Sequence, residues 1–204
     1  MHWTEIEGLR MPRRIGGHPV LDFCNTWAGW GGPEESGGEY LHSYDALVVW
    51  TGYAGLLPAP VRSRVRRTAR RDKLAAASTL TEVLALRESL YHVLLHPFAR
   101  EAFDLVADLA TRAAANAVLT RHRSGIARWS LPADIGLDLP LLAIAGSAAD
   151  LLCSPDRLLV RACPGHNCGW LFIDRRGRRR WCSMASCGNR AKVRAHSLRQ
   201  RSLP

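Results

Sequence analysis

The chain has 204 residues, 47% of them hydrophobic, which suits one substantial domain with a real core plus a small appendage. Its formal net charge of +10 lies at one end: residues 161–204 hold ten arginines and one lysine against the single acid Asp174, while residues 1–160 balance 17 basic with 17 acidic side chains. No run reaches the roughly 18 uninterrupted apolar residues of a membrane span, and Met1-His2-Trp3-Thr4-Glu5 does not open a secretory signal, so no membrane partner and a cytoplasmic location are expected.

In chain order, residues 15–27 mix apolar and polar side chains after a Gly-Gly turn, and residues 29–38 read as a Gly/Glu/Pro-rich loop. Ser43 is placed to cap a helix over 44–54, which stops near Gly55 and the prolines 58 and 60. The basic segment Arg62 to Lys73 is expected to be helical with a solvated face. Thr79-Leu80-Thr81-Glu82 reads as a capping box opening a helix whose stripe is Leu80, Leu84, Arg87, Tyr91 and Leu94/Leu95, stopped by Pro97. A second long helix over 98–119, with Phe98, Ala102, Leu105/Val106, Leu109 and Ala113 facing inward, is expected to pack on it as a hairpin. A β-hairpin over 117–131 turns at Ser124-Gly125, and an apolar helix over 139–153 leads into the C-terminal segment.

That segment carries Cys163, Cys168, Cys182 and Cys187 as C-x4-C, thirteen intervening residues and C-x4-C. Two cysteine pairs flanking a hairpin-sized stretch are what a closed, tetrahedral and therefore structural zinc site requires. Pro164 and Gly165 turn the chain between the first pair, where His166 is an alternative ligand or a loop histidine. Residues 169–173 form a strand, 174–180 an arginine-rich tip around Gly177, and Trp181 returns the chain to Cys182. Cys187 then opens a helix over about 188–201, whose N-terminal N–H groups favour its thiolate. On that helix Arg190, Arg194, Ser197 and Arg201 form a polar stripe. Ala191, Ala195 and Leu198 form an apolar face fit to lie on Trp170, Phe172 or Trp181, and Lys192, His196 and Arg199 a third. The fold class expected is α+β: a mainly helical N-terminal domain with minor β structure over 1–160, joined to a treble-clef-like zinc finger of hairpin and helix over 161–204.

Residues 168–174 (Cys-Gly-Trp-Leu-Phe-Ile-Asp) and 179–193 (Arg-Arg-Trp-Cys-Ser-Met-Ala-Ser-Cys-Gly-Asn-Arg-Ala-Lys-Val) resemble the CGNR zinc-finger family. Residues 17–26 (Gly-His-Pro-Val-Leu-Asp-Phe-Cys-Asn-Thr) are similar to the start of the ABATE domain that accompanies this finger in bacteria. The resemblance covers nearly the whole chain and implies a stress-associated bacterial transcription regulator whose finger contacts DNA.

The expected function is thus a zinc-containing DNA-binding transcription regulator, with 1–160 as a sensing or dimerising domain and a homodimer as one expected assembly. The DNA-contacting candidates are Arg178, Arg179, Arg180, Asn189, Arg190, Lys192, Arg194 and Arg201, because arginine grips phosphate and guanine edges bidentately. RNA binding and a protein-interaction clip are the alternatives. A metal-dependent nuclease is the enzymatic one; with only His166, Asp174 and His196 to supply an acid or base, no enzyme is expected. His18, Asp22 and Asn25 either line a small-molecule effector pocket, with Trp27, Trp30 and Trp50 as apolar walls, or satisfy backbone groups at a strand-turn junction. Cys24 and Cys153 are expected as buried small apolar residues, with redox sensing as the alternative.

Overall fold

The computed structural model describes residues 3–33, 38–121 and 124–201. Residues 1–2, 34–37, 122–123 and 202–204 lie outside them. The chain divides into two compact units: residues 41–157, and a second assembled from 1–40 together with 158–204. The expected division near residue 160 follows the order of the chain. In space, the first forty residues belong with the cysteine-bearing segment.

The 41–157 unit is helical. Ser43 caps α2 (Tyr44–Tyr53), its Oγ accepting from Ala46 N at 3.1 Å, and α3 (Ala59–Arg71) has Pro58 at its N-cap and Pro60 in its first turn. The next helix differs from expectation at its start. α4 (Lys73–Leu95) begins at Asp72, whose Oδ1 accepts from Ala75 N at 2.9 Å, so Thr79-x-x-Glu82 sits inside the helix. Residues 74–80, rich in alanine and leucine, propagate a helix too well for a start at Thr79. Thr79 is buried and its Oγ1 lies 3.3 Å from Asp138 Oδ1, and Thr81 Oγ1 donates to the Ala77 carbonyl. The buried stripe keeps the expected Arg87 and Leu94 and otherwise runs through Ala76, Thr79, Val83, Leu86, Leu90 and Val93 rather than Leu80, Leu84 and Tyr91.

α5 (Arg100–Asn116) packs on α4 and on the helix that follows, burying Val106, Leu109 and Ala113, and Phe98, expected on that stripe, precedes the helix and is 96% exposed. β5 (Val118–Arg121) and β6 (Ala127–Ser130) pair antiparallel, with Leu119 opposite Trp129 and Gly125 at φ 81° in the turn. α6 (Leu139–Leu152) supplies the core with Leu139, Leu141, Ile144, Ala145 and Ala148. The segment Ala133–Leu152 has a mean hydropathy of 1.6 and is apolar enough on average to cross a membrane. It is broken at Gly136 (φ 80°, ψ −131°), however. The 14 residues of α6 rise only about 21 Å against the roughly 30 Å of hydrocarbon. Cys153, just past α6, is exposed, which corrects its expected burial; Cys24 is buried as expected.

In the other unit, β1 (Trp3–Ile6) and β2 (Leu9–Pro12) form a hairpin, and α1 (Pro19–Cys24) follows the Gly16-Gly17 turn. β3 (Trp27–Ala28) pairs with β4 (Gly38–Glu39). β7 (Val160–Ala162) pairs antiparallel with β8 (Leu171–Ile173), Arg161 opposite Phe172. The first cysteine knuckle is therefore the turn of the β7–β8 hairpin. The expected return strand through Trp181 does not form, and residues 174–183 run back without sheet pairing. One turn of π-helix (Met184–Gly188) leads into α7 (Asn189–Arg201).

Candidate metal centre and its arginine surround

The knuckle gets its shape from two left-handed residues, Asn167 (φ 55°) and Gly169 (φ 65°). Its carbonyls are used: Cys168 N donates to Gly165 O at 2.9 Å and Cys163 N to Trp170 O at 2.8 Å. These turns bring Cys163 and Cys168 to face Cys182 and Cys187, and all four are buried. Their sulfurs all lie within 4.8 Å of one another, with Cys168 to Cys182 at 3.7 Å and Cys182 to Cys187 at 3.6 Å. A tetrahedron with Zn–S bonds of about 2.3 Å requires sulfur separations of about 3.8 Å, so the four fit one zinc ion. Gly165 is required here: a Cβ at that position would stand 3.0 Å from Cys187 Sγ and 3.4 Å from Cys163 Sγ.

Four thiols this close do not ionise alike without a cation. Hydrogen bonds from Cys168 and Cys182 hold Cys163 down to about 2. The same contacts push Cys168 up to about 12, chiefly through Cys163, and raise Cys182 through Cys163 and Cys168. A dication at the centre resolves the conflict, because all four bind it as thiolates.

The arginines divide by what they touch. Arg190 donates from Nη2 to Cys187 Sγ at 3.1 Å, so at the base of α7 it serves the thiolate cluster. Arg179 is committed inside the unit. Its Nη2 donates to Ile15 O at 2.8 Å and to Cys182 O at 2.6 Å, its Nε to Trp181 O at 3.2 Å, and its guanidinium lies 4.4 Å from the Phe172 ring centroid. Three of its five N–H donors are therefore spent on backbone. Arg180 stacks on Trp181 at 5.2 Å and is exposed, as are Arg175, Arg176, Arg178, Lys192 and Arg194. Arg175, Arg176 and Arg178 line an open cleft of about 480 Å³ with Gly17, Ile173 and Asp174. Asp174 shapes that tip. Loss of water, which acts upward on its carboxyl, is outweighed by the backbone N–H groups of Arg179, Arg178, Arg176 and Gly177, so it stays below the ordinary carboxylate range. Asn189 opens α7, exposed, with Nδ2 3.5 Å from Ala185 O. The side chain of Arg201, the last residue of α7, lies outside the described residues.

Of the three aromatic rings expected against the apolar face of α7, Trp181 stands beside it. Ala191, Ala195 and Leu198 line a cleft of about 280 Å³ with Pro164, His166 and Trp181, and Leu198 is 58% exposed. Trp170 and Phe172 face the N-terminal segment instead. Trp170 Nε1 donates to Trp27 O at 2.9 Å, and Ile15, Ala28, Trp30 and Tyr40 pack against the cysteine-centred core. Trp27 and Trp30 meet edge to face at 6.5 Å, and Trp30 Nε1 donates to Cys24 O at 2.8 Å. Trp50 is buried in the 41–157 unit.

The N-terminal polar trio holds backbone, the second of its two sequence readings. His18 caps α1, Nδ1 accepting from Val20 N at 3.3 Å. Asp22 Oδ1 accepts from Ile15 N at 2.8 Å and Gly16 N at 2.7 Å, and Arg14 Nε stands 3.6 Å from its other oxygen. Burial pushes its carboxyl above the ordinary 3.8 despite those bonds. Asn25, fully buried, donates from Nδ2 to Leu171 O at 3.0 Å and accepts from Leu171 N at 2.7 Å. A side-chain amide thus acts as the next strand on β8. Arg14, the structural role of Arg179 and the Gly31–Gly32 approach to Asn167–Gly169 escaped sequence reasoning, although the glycine density at 29–32 is itself a signal of close backbone approach.

The family model described as "Putative stress-induced transcription regulator", ABATE, matches residues 17–155, and the CGNR zinc-finger model matches residues 159–200. A search of curated proteins finds no match to the chain. The matched finger contains all four clustered cysteines, and the ABATE match spans well over half of the sequence. The chain therefore belongs to the ABATE family and carries a CGNR zinc finger with one structural zinc ion.

Proposed function

We propose that the protein binds DNA through the arginines of its zinc unit and regulates transcription as a cytoplasmic, non-catalytic protein. The supporting observation is the placement of charge. Residues 161–204 carry the whole net excess. Arg175, Arg176 and Arg178 around the larger cleft and Arg194 on α7 face solvent on a zinc-braced frame. Bidentate guanidinium donors so arranged suit phosphate oxygens and guanine edges. Metal thiolates and free thiols suit a reducing compartment. Arg178, Arg194, Lys192 and Asn189 carry the contacts in this reading, Arg180 stacks beside them, and Arg179 and Arg190 position the unit. An effector, if the protein answers to one, binds elsewhere than on Asp22 and Asn25, whose polar atoms hold the chain.

Cys182→Ser tests this. The variant is expected to lose zinc and duplex binding while residues 41–157 keep their helical signal. Duplex binding unchanged in the zinc-free variant refutes the reading. Single-stranded RNA outcompeting duplex DNA selects the RNA alternative. Mg²⁺-dependent nicking that His166→Ala abolishes selects the nuclease.

A further inference from the structure

α3 carries six arginines, Arg62, Arg64, Arg66, Arg67, Arg70 and Arg71, and no acid. Two are anchors. Arg62 lies against Gly52, its guanidinium filling the space a Cβ there would need. Arg66 donates to Asp45 from Nε at 2.7 Å and from Nη2 at 3.3 Å. With Val65, the one buried residue of the helix, these hold α3 on its unit. Arg64, Arg67, Arg70 and Arg71 are exposed, and among the described residues none has a hydrogen-bond or ion-pair partner for its guanidinium.

A merely solvated helix face interleaves acids and bases, because opposite charges at i,i+4 help and like charges repel. Here Arg64 and Arg67 stand at i,i+3, and Arg67 and Arg71 at i,i+4, with nothing between to offset them. The helix dipole accounts for Arg70 and Arg71 in the last turn, but not for Arg64 and Arg67. The repulsion is relieved by a polyanion laid along the face. An interfacial membrane helix needs large apolar side chains beside its basic ones, and none is exposed within Ala59–Arg71. The chemistry that remains is a row of phosphodiesters.

We propose that the exposed face of α3 is a second nucleic-acid contact surface, on the helical unit, gripping the duplex backbone through Arg64, Arg67, Arg70 and Arg71. It rests on the DNA-binding reading above and adds a sequence-independent grip to the finger. Such contacts orient a protein on DNA without reading bases.

The test is the salt dependence of full-length protein on a 24-base-pair duplex, by fluorescence anisotropy over a KCl series. It compares the wild type with R64Q/R67Q/R70Q/R71Q and with R175Q/R176Q/R178Q. Glutamine keeps helix propensity, and circular dichroism with zinc content verifies the fold of each variant. Each released phosphate contact contributes about 0.9 to the slope of log K against log salt. The α3 variant is therefore expected to lose roughly 3 to 4 slope units, with weakening that is uniform across duplex sequences. An α3 variant with the wild-type slope, while the finger variant loses slope, overturns this proposal alone. A wild type that binds no duplex overturns both. Vesicles containing phosphatidylserine that retain the wild type but not the α3 variant, with the duplex slope unchanged, assign the face to a membrane and overturn it.

Discussion

Asn25 shows how one side chain can decide an architecture. Its amide answers both backbone groups of Leu171 across 146 positions of sequence. Asn25→Ala leaves a buried donor and a buried acceptor unpaired, each worth about 1–3 kcal/mol. The expected result is a lower denaturation midpoint and weaker zinc retention against a chelator. Gly165→Ala is expected to loosen zinc without disturbing the helical unit, because its methyl would press on Cys187 Sγ and Cys163 Sγ; chelator competition reads this directly. Asp22 makes a prediction in pH. Its folded carboxyl titrates above 3.8 because burial disfavours the charge, so between 3.8 and its folded value the native state binds more protons than the unfolded one. Stability from this group is thus greatest at low pH and falls as pH rises through that window. Asp22→Asn keeps an acceptor for Ile15 and Gly16 but does not titrate. The wild-type minus variant stability difference should decline across the window and then level off, with the zinc contribution cancelling. In the sequence these residues were conspicuous as polar groups in an apolar run. A ligand and a backbone partner make the same demand on such groups, and only the fold shows which one is met.

At the scale of elements, what was legible depended on locality. The Ser43 cap, the hairpin around Gly125, α6 and the cysteine spacing each rest on residues close in sequence, and each forms as the pattern implies. The start of α4 was misread because a capping box and a mid-helix Thr-x-x-Glu look identical in one dimension. Asp72→Ala is accordingly expected to cost about 0.5–2 kcal/mol by thermal denaturation. Glu82→Ala should cost at most about 1 kcal/mol, the worth of a half-exposed ion pair such as its 3.9 Å approach to Arg112. The return after Gly177 was expected as the second arm of a hairpin whose first arm is residues 169–173. Arg179 and the N-terminal segment satisfy that stretch instead, so no ladder is needed.

At the scale of the molecule, the family boundary between ABATE and finger falls at residues 155–159, while the compact unit around the metal includes residues 1–40. A 44-residue zinc module has little core of its own, and here Ile15, Trp30 and Tyr40 extend it. A fragment beginning at residue 158 is expected to hold zinc at least about tenfold more weakly than the full chain, the size of one lost interaction of about 1.4 kcal/mol. Added peptide 1–40 should restore part of the difference in a competition titration. Equal affinities would show that the cysteines and their own hairpin suffice.

The pairing of Asn25 with Leu171 also has a consequence in time. During synthesis the first forty residues emerge before residues 41–157, and their partner strand follows only afterwards. At about 5–20 residues per second, that interval is on the order of ten seconds. Through it, Trp27, Trp30 and the buried amide of Asn25 have no partner strand. The helical unit has that long to fold first, and metal capture then closes the two ends of the chain in a single late event.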